Sequence, residues 1–262
     1  MSKINVNTWE PESSTALTMG ASGDTTTVPS GASLVVASGA TINITGATQT
    51  GFPSAGFSDL DTTTATGSTT YTVPSDITKL LVIITGGGGG GAAGGSGVTS
   101  GGGHSATTVI ARVTVVAADT ITIAIGAGGA GGYVGAGNGI DGGNSTFTHA
   151  SGSGSGSMST ITSPGGEGQI YQSAQTAPTA GTVGANNEGI SILGGYGARE
   201  QTSATGGASF WGGGGQGAIP NRQEPATIGP AYGSGGGGGS STPSYQTGGA
   251  GGNGVCFIME FK

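Results

Sequence analysis

Thr78-Lys79-Leu80-Leu81-Val82-Ile83-Ile84-Thr85 runs without a break into Gly86-Gly87-Gly88-Gly89-Gly90-Gly91. The first part is rich in β-branched and aliphatic residues that suit a buried strand. The second has no side chain to bury and loses the most backbone entropy on ordering. The same join recurs: Thr120-Ile121-Thr122-Ile123-Ala124-Ile125 leads into a run at 126–132, and a run at 248–254 leads into Val255-Cys256-Phe257-Ile258-Met259-Glu260-Phe261. Ten glycine runs are countable, at 86–91, 101–103, 126–132, 141–144, 164–168, 181–184, 194–197, 212–217, 233–239 and 248–254.

A flexible linker explains any one run but not the set, because little between most of them is large enough to be a domain. Collagen is excluded too, since no Gly-X-Y period is sustained and only 10 prolines are present. What remains is a bundle of extended three-fold helices of the polyproline II type. Such a helix rises ~3.1 Å per residue and makes no internal hydrogen bonds. Its N–H and C=O groups must therefore find partners in neighbouring segments, which approach closely enough only where no Cβ intervenes.

Strands are predicted at 78–85, 106–116, 120–125 and 255–261, with Ala117-Ala118-Asp119 as a hairpin turn between the middle two. In the last strand Val255, Phe257, Met259 and Phe261 alternate as one buried face, with Cys256 and Ile258 opposite. Cys256 reads as packing rather than chemistry. As the single cysteine it excludes an intrachain disulfide and a multi-cysteine metal site.

Gly126, Gly128 and Gly131 match G-x-G-x-x-G after a strand, but the glycine-rich 133–139 that follows cannot form the helix that dinucleotide binding requires. No run ends in Gly-Lys-Ser/Thr, so a P-loop is absent. No G-x-S-x-G or H-E-x-x-H pattern exists, and His104 and His149 lie in separate segments. No residue nominates itself as catalytic, and no metal or cofactor is expected.

Glycine supplies 61 of 262 residues while charged residues make up 7 %. Disordered chains are usually charged and poor in apolar residues; here the hydrophobic share is 33 %, which predicts an ordered, all-β structure. The net charge is −7 with 6 lysines and arginines, too few for the basic stripe that a nucleic-acid partner demands. No run of apolar residues is long enough for a membrane-spanning helix, and the N-terminus shows no export-signal pattern.

Residues 1–50 read differently. Pro29-Ser30-Gly31-Ala32-Ser33-Leu34 is echoed by Ala37-Ser38-Gly39-Ala40-Thr41-Ile42, a turn then a very short strand. Strands this short bury little in one chain, so the segment is expected to be a trimeric β-stem; a small β-meander is the competing reading. Residues 51–70 read as a linker or collar, and 71–262 as the glycine-rich tip.

The opening Ser2-Lys3-Ile4-Asn5-Val6-Asn7-Thr8-Trp9-Glu10-Pro11, together with Leu17-Thr18-Met19-Gly20-Ala21-Ser22-Gly23 and Pro29-Ser30-Gly31-Ala32, resembles the N-terminal stems of tail-fibre proteins from marine, especially cyanobacterial, phages. Residues 71–262 are similar to glycine-rich phage fibre domains and to the tip adhesins of T-even-like phages. In those adhesins polyglycine II helices form a sandwich whose far-end loops bind the bacterial receptor. Stem and tip share one chain here, whereas the T-even adhesins are separate caps, which favours self-trimerisation. The resemblance implies a non-catalytic virion tail-fibre adhesin outside the host cell. Its partners would be a host-surface receptor, protein or polysaccharide, and another tail or baseplate protein at the N-terminus. The alternative is a structural virion fibre, capsid-decorating or baseplate-associated, with no direct receptor role.

If each run crosses the tip once, alternate runs lead out and back. The far-end loops are then 92–100, 133–140, 169–180, 198–211 and 240–247, and 218–232 is basal. Four of those loops carry aromatics, Tyr133, Tyr171, Phe210 with Trp211, and Tyr245, which nominates these as the receptor contacts.

Overall fold

The structure, a computed structural model, describes residues 56–95, 100–134, 137–152, 158–170, 176–199, 204–219, 224–241 and 245–262. The expected stem at 1–50 and Tyr171 lie outside the described residues. Nine strands are present among those described: β1 (Phe57–Thr63), β2 (Gly67–Thr72), β3 (Lys79–Thr85), β4 (Thr108–Thr114), β5 (Thr120–Ile125), β6 (Ser145–Ser151), β7 (Ile161–Ser163), β8 (Glu188–Ile192) and β9 (Val255–Phe261). They form two antiparallel sheets, one in the order β1-β9-β3-β4-β8 and the other β2-β5-β6-β7. The all-β expectation holds, and no helix occurs among the described residues.

Between the sheets lies a core that includes Leu80, Val82 and Ile84 of β3, Val109, Ala111 and Val113 of β4, Ile121, Ile123 and Ile125 of β5, Phe147, Ile161, Cys256 and Ile258. Each large apolar side chain sealed here contributes roughly 1.5–3 kcal/mol. Tyr71 of β2 crosses the core to donate its hydroxyl to Glu260 Oε1 of β9 at 2.7 Å, which is how a carboxylate can sit 7 % exposed in this position.

Three sequence expectations need correction. Residues 57–63 and most of β2 lie in the stretch read as a linker, yet β1 forms one edge of the five-stranded sheet and β2 one edge of the four-stranded sheet. Their Thr-rich composition is what an edge strand with an exposed face tolerates. Residues 117–119 do not make a hairpin, because β4 and β5 belong to different sheets. Both strands need their alternating apolar faces directed at one core, and facing layers satisfy both. In β9 the alternation was right but the side was reversed: Cys256 and Ile258 are fully buried inside while Phe257, Met259 and Phe261 are half-buried on the outer face. Both faces are apolar, so periodicity alone does not choose between them.

The glycine segments continue the strands into a bundle. Segment 86–94 leaves β3, and its N–H groups find partners in rotation. Gly87, Gly90 and Ala93 donate to Gly143, Ile140 and Gly137. Gly88, Gly91 and Gly94 donate to Gly252, Gly249 and Gln246, while Gly86, Gly89 and Ala92 donate to Thr107, His104 and Gly101. The descending partner numbers make all three neighbours antiparallel. Its carbonyls accept from three parallel neighbours, through Gly129 and Gly132, Gly166 and Gln169, and Gly236 and Gly239. A return to the same neighbour every third residue is what an extended helix of three residues per turn generates.

Burial follows the same period at the bundle surface. In segment 126–132 the residues Gly126, Gly129 and Gly132 are buried, whereas Ala127 and Ala130 are exposed. Alanine thus occupies the one direction in which a methyl group has room. Segment 86–91, with neighbours all round, is buried throughout and purely glycine. A Cβ on Gly88 would overlap the Ser234 carbonyl, and one on Gly236 the Gly249 carbonyl.

Where a neighbour is missing, a polar side chain substitutes for its carbonyl. Asn144 Oδ1 accepts from Gly165 N at 3.0 Å and Asp141 Oδ1 from Gly168 N at 2.7 Å, three residues apart along one edge. Asn253 Oδ1 does the same for Gly128 N at 3.0 Å, and Thr227 Oγ1 for Gln216 N at 2.7 Å. Buried or edge amides thus find acceptors, as they must.

Candidate functional site

Segment 86–94 points away from the sheets, so segments parallel to it also lead outward. Those are 126–132, 164–169 and 233–239 by the bonds above. Segment 194–198 joins them, because Gly102 and Ser105 of the returning stretch donate to Ala198 and Gly195 in descending order. Gly94 and Gly101, Gly132 and Gly137, Gln169, Arg199 and Ala204, Ile219 and Glu224, and Ser240 and Gln246 lie at the far end. The ends of separate segments are therefore gathered on one end of a hydrogen-bonded scaffold, an arrangement suited to presenting contact residues.

Tyr133 and Tyr245 are at that end. Gly132, next to Tyr133, donates to Gly91 and accepts from Gly248, while Gln246, next to Tyr245, accepts from Gly94. The rings are 65 % and 47 % exposed, with Val134 and Ile170 also presented to solvent. The structure thus brings these two aromatics to one end. Val134 and Ile170 were missed, since nothing but position marks them.

Phe210 and Trp211 are at the opposite end. The Trp211 indole donates from Nε1 to Thr85 Oγ1 at 2.8 Å and packs on Phe257 with ring centroids 4.9 Å apart, both partners being strand residues. Their assignment to a far-end loop is thus corrected. Two crossings went uncounted. Ala198 and Gly195 donate to Thr205 and Ala208, so 204–208 is a return segment. The chain then turns at the strand end, where Ser209 and Gly212 pair. Gly215 and Ala218 donate to Gly235 and Gly238 in ascending order, so 212–218 leads outward instead of back. Ile219 pairs with Glu224 at the far turn, and 225–229 returns beside 249–252. The hidden segments Ala204-Thr205-Gly206-Gly207-Ala208 and Pro225-Ala226-Thr227-Ile228-Gly229 carry too few glycines to register as runs. Two extra crossings restore the original parity, so 233–239 still leads outward and 248–254 still returns.

His104 lies on the bundle flank, 2 % exposed, with its ring edge-on to Tyr196 at 5.3 Å and its Nδ1 without a hydrogen-bond partner among the described residues. Burial holds its imidazole below the usual histidine range, against a weaker opposing pull from Asp141. Glu167 is pushed upward by burial and then by Asp141. Among the described residues no three His, Cys, Asp or Glu side chains converge to hold a metal ion.

A family model described as a glycine-rich domain matches residues 62–259. No curated protein matches the chain.

Proposed function

This chain belongs to the glycine-rich domain family, and we propose that it is a phage virion tail-fibre protein, an adhesin that contacts the host surface through the far-end turns of its bundle. The observation that carries this reading is the gathering of the ends of separate, hydrogen-bonded glycine-rich segments at one end of the bundle, with Tyr133 and Tyr245 exposed among them. A scaffold whose interior is mostly glycine leaves variation to its turns, and tyrosine supplies contact area at low entropy cost. Tyr171 belongs by sequence to the same group. Residues 1–50 serve as a trimeric stem that joins a tail or baseplate protein. The action is binding without catalysis, at the virion surface and outside the cell.

Adsorption of the purified full chain to host cells tests this. The double substitution Tyr133→Ala with Tyr245→Ala is expected to abolish adsorption and leave the melting temperature within a degree or two. Unchanged adsorption would instead favour a structural fibre without a receptor role.

A further inference from the structure

Near the strand end, a cleft of about 770 Å³ opens between the turn at 230–233 and the last glycine segment. Its walls are Trp211, Ile228, Pro230 and Tyr232, and its floor is the backbone of 250–252 with Asn253. That volume falls within the ~300–1,000 Å³ typical of small-ligand sites.

The aromatic wall is held rigidly. Trp211 is anchored by its Nε1 bond to Thr85, by the bond from its backbone N–H to Ser209 Oγ at 3.2 Å, and by Phe257 beneath it. Tyr232 meets the indole edge-on at 6.4 Å. Because the indole N–H is already used inside the protein, Trp211 offers the cleft only apolar surface. Asn253 spends its Oδ1 on Gly128, which leaves its amide donors, with the Tyr232 hydroxyl, for another partner among the described contacts. Ile228, 65 % exposed, forms an unprotected rim.

No Asp, Glu, Lys or Arg lines the cleft. A phosphate, sulfate or carboxylate ligand would find no compensating charge, and a cation no carboxylate. A purely apolar ligand would leave the amide and hydroxyl donors unpaired. Apolar rings beside a few neutral hydrogen-bonding groups suit a molecule with C–H faces and hydroxyl edges. From this geometry we infer that the cleft binds a neutral saccharide, stacked on Trp211 and Tyr232 and hydrogen-bonded by Asn253. The site is separate from the far-end turns and does not rest on the adhesion reading.

Calorimetric titration of the full chain with maltohexaose, mannohexaose, chitohexaose and a galacto-oligosaccharide tests the inference, with oligogalacturonate as the anionic comparison. At least one neutral oligosaccharide is expected to bind saturably, and more tightly than oligogalacturonate. Tyr232→Ala and the rim substitution Ile228→Ala should each weaken binding, the first at least tenfold. Tyr133→Ala with Tyr245→Ala should leave it unchanged. Absence of binding to all four neutral sugars overturns the proposal. So does tighter binding of the anionic sugar, or affinity that survives both cleft substitutions. Because Ile228 is a solvent-facing rim residue, its variant keeps the test valid if Tyr232→Ala misfolds. Loss of adsorption with intact sugar binding, or the reverse, separates this site from the far-end reading.

Discussion

Ala118 has a φ of 66°, a left-handed conformation that costs a residue with a Cβ about 1–2 kcal/mol. The turn needs it, since Ala118 N donates to Val73 O while Asp119 O accepts from Val73 N, tying the crossing between the sheets to the end of β2. Ala118→Gly removes the Cβ conflict at some entropic cost, so a net gain of about 0.5–1 kcal/mol is expected. In a domain of this size that corresponds to a rise of about 1–4 °C in melting temperature, readable by calorimetry. Tyr71 makes the opposite kind of demand. Burial, and then its bond to Glu260, raise its phenol above the usual tyrosine range. A raised acid contributes stability that is complete below its unfolded value of about 10 and is lost as pH rises beyond it. The melting temperature should therefore fall above about pH 10, and Tyr71→Phe should flatten that fall. At neutral pH the same substitution should lower stability by about 1–3 kcal/mol, because the Glu260 carboxylate loses its buried donor. Trp211→Ala should likewise destabilise, toward the lower end of the ~3–5 kcal/mol for aromatic truncation, given that the ring is only partly buried.

At the scale of the element, the glycine segments divide into those with neighbours on every side and those with an open direction. Gly88→Val, Gly214→Val and Gly236→Val each drive a side chain into the backbone carbonyl of an adjacent segment, those of Ser234, Gly206 and Gly249. The loss should greatly exceed the ~1 kcal/mol of an ordinary glycine-to-alanine exchange, because neighbouring segments must separate and break several bonds at once. Gly213 has nothing within 4 Å of its Cβ position, so Gly213→Ala should leave the melting temperature within a degree. Equal effects at Gly88 and Gly213 would contradict a close-packed bundle. Strands β3, β5 and β9 were legible because their apolar content is locally dense, and the pure glycine runs because nothing else has that composition. Segments 204–208 and 225–229 were not legible. At the bundle surface only some positions of each turn meet a neighbour, so alanine, threonine and proline are tolerated there and the glycine signal fades. The sidedness of β9 failed for another reason: Cys256, Ile258, Phe257 and Met259 are all apolar, and the partner that decides is Tyr71, 189 residues away from Glu260. The far-end tyrosines were found through aromatic type and parity, and the same logic misplaced Trp211 once parity slipped.

For the whole molecule, the decisive quantity is the number of chains. In the described unit the two sheets close a core on each other and the bundle meets its hydrogen bonds with its own segments, so nothing in its interior requires a second copy. The proposal of further chains comes from the sequence of residues 1–50, where the repeats at Leu34-Val35-Val36 and Ile42-Asn43-Ile44 would offer a single chain too little core. Three chains sharing an axis multiply that core without lengthening any strand. Sedimentation equilibrium of the full chain at micromolar concentration should therefore give a species three times the 24.6 kDa chain mass. Leu34→Asp with Ile42→Asp places a charge in each repeat, where its desolvation would oppose assembly. That variant should sediment as a monomer while the glycine-rich unit, whose core closes between its own two sheets, keeps its melting transition. If the unaltered chain is monomeric, the β-meander reading of residues 1–50 replaces the stem. If the variant remains trimeric, assembly lies elsewhere in the chain. On the proposed reading, three tips on one stem would raise the effective concentration of the second and third contacts. The dissociated variant should then adsorb to host cells at least tenfold more weakly than the trimer even though each tip is intact, and equal adsorption by monomer and trimer would show that a single tip suffices.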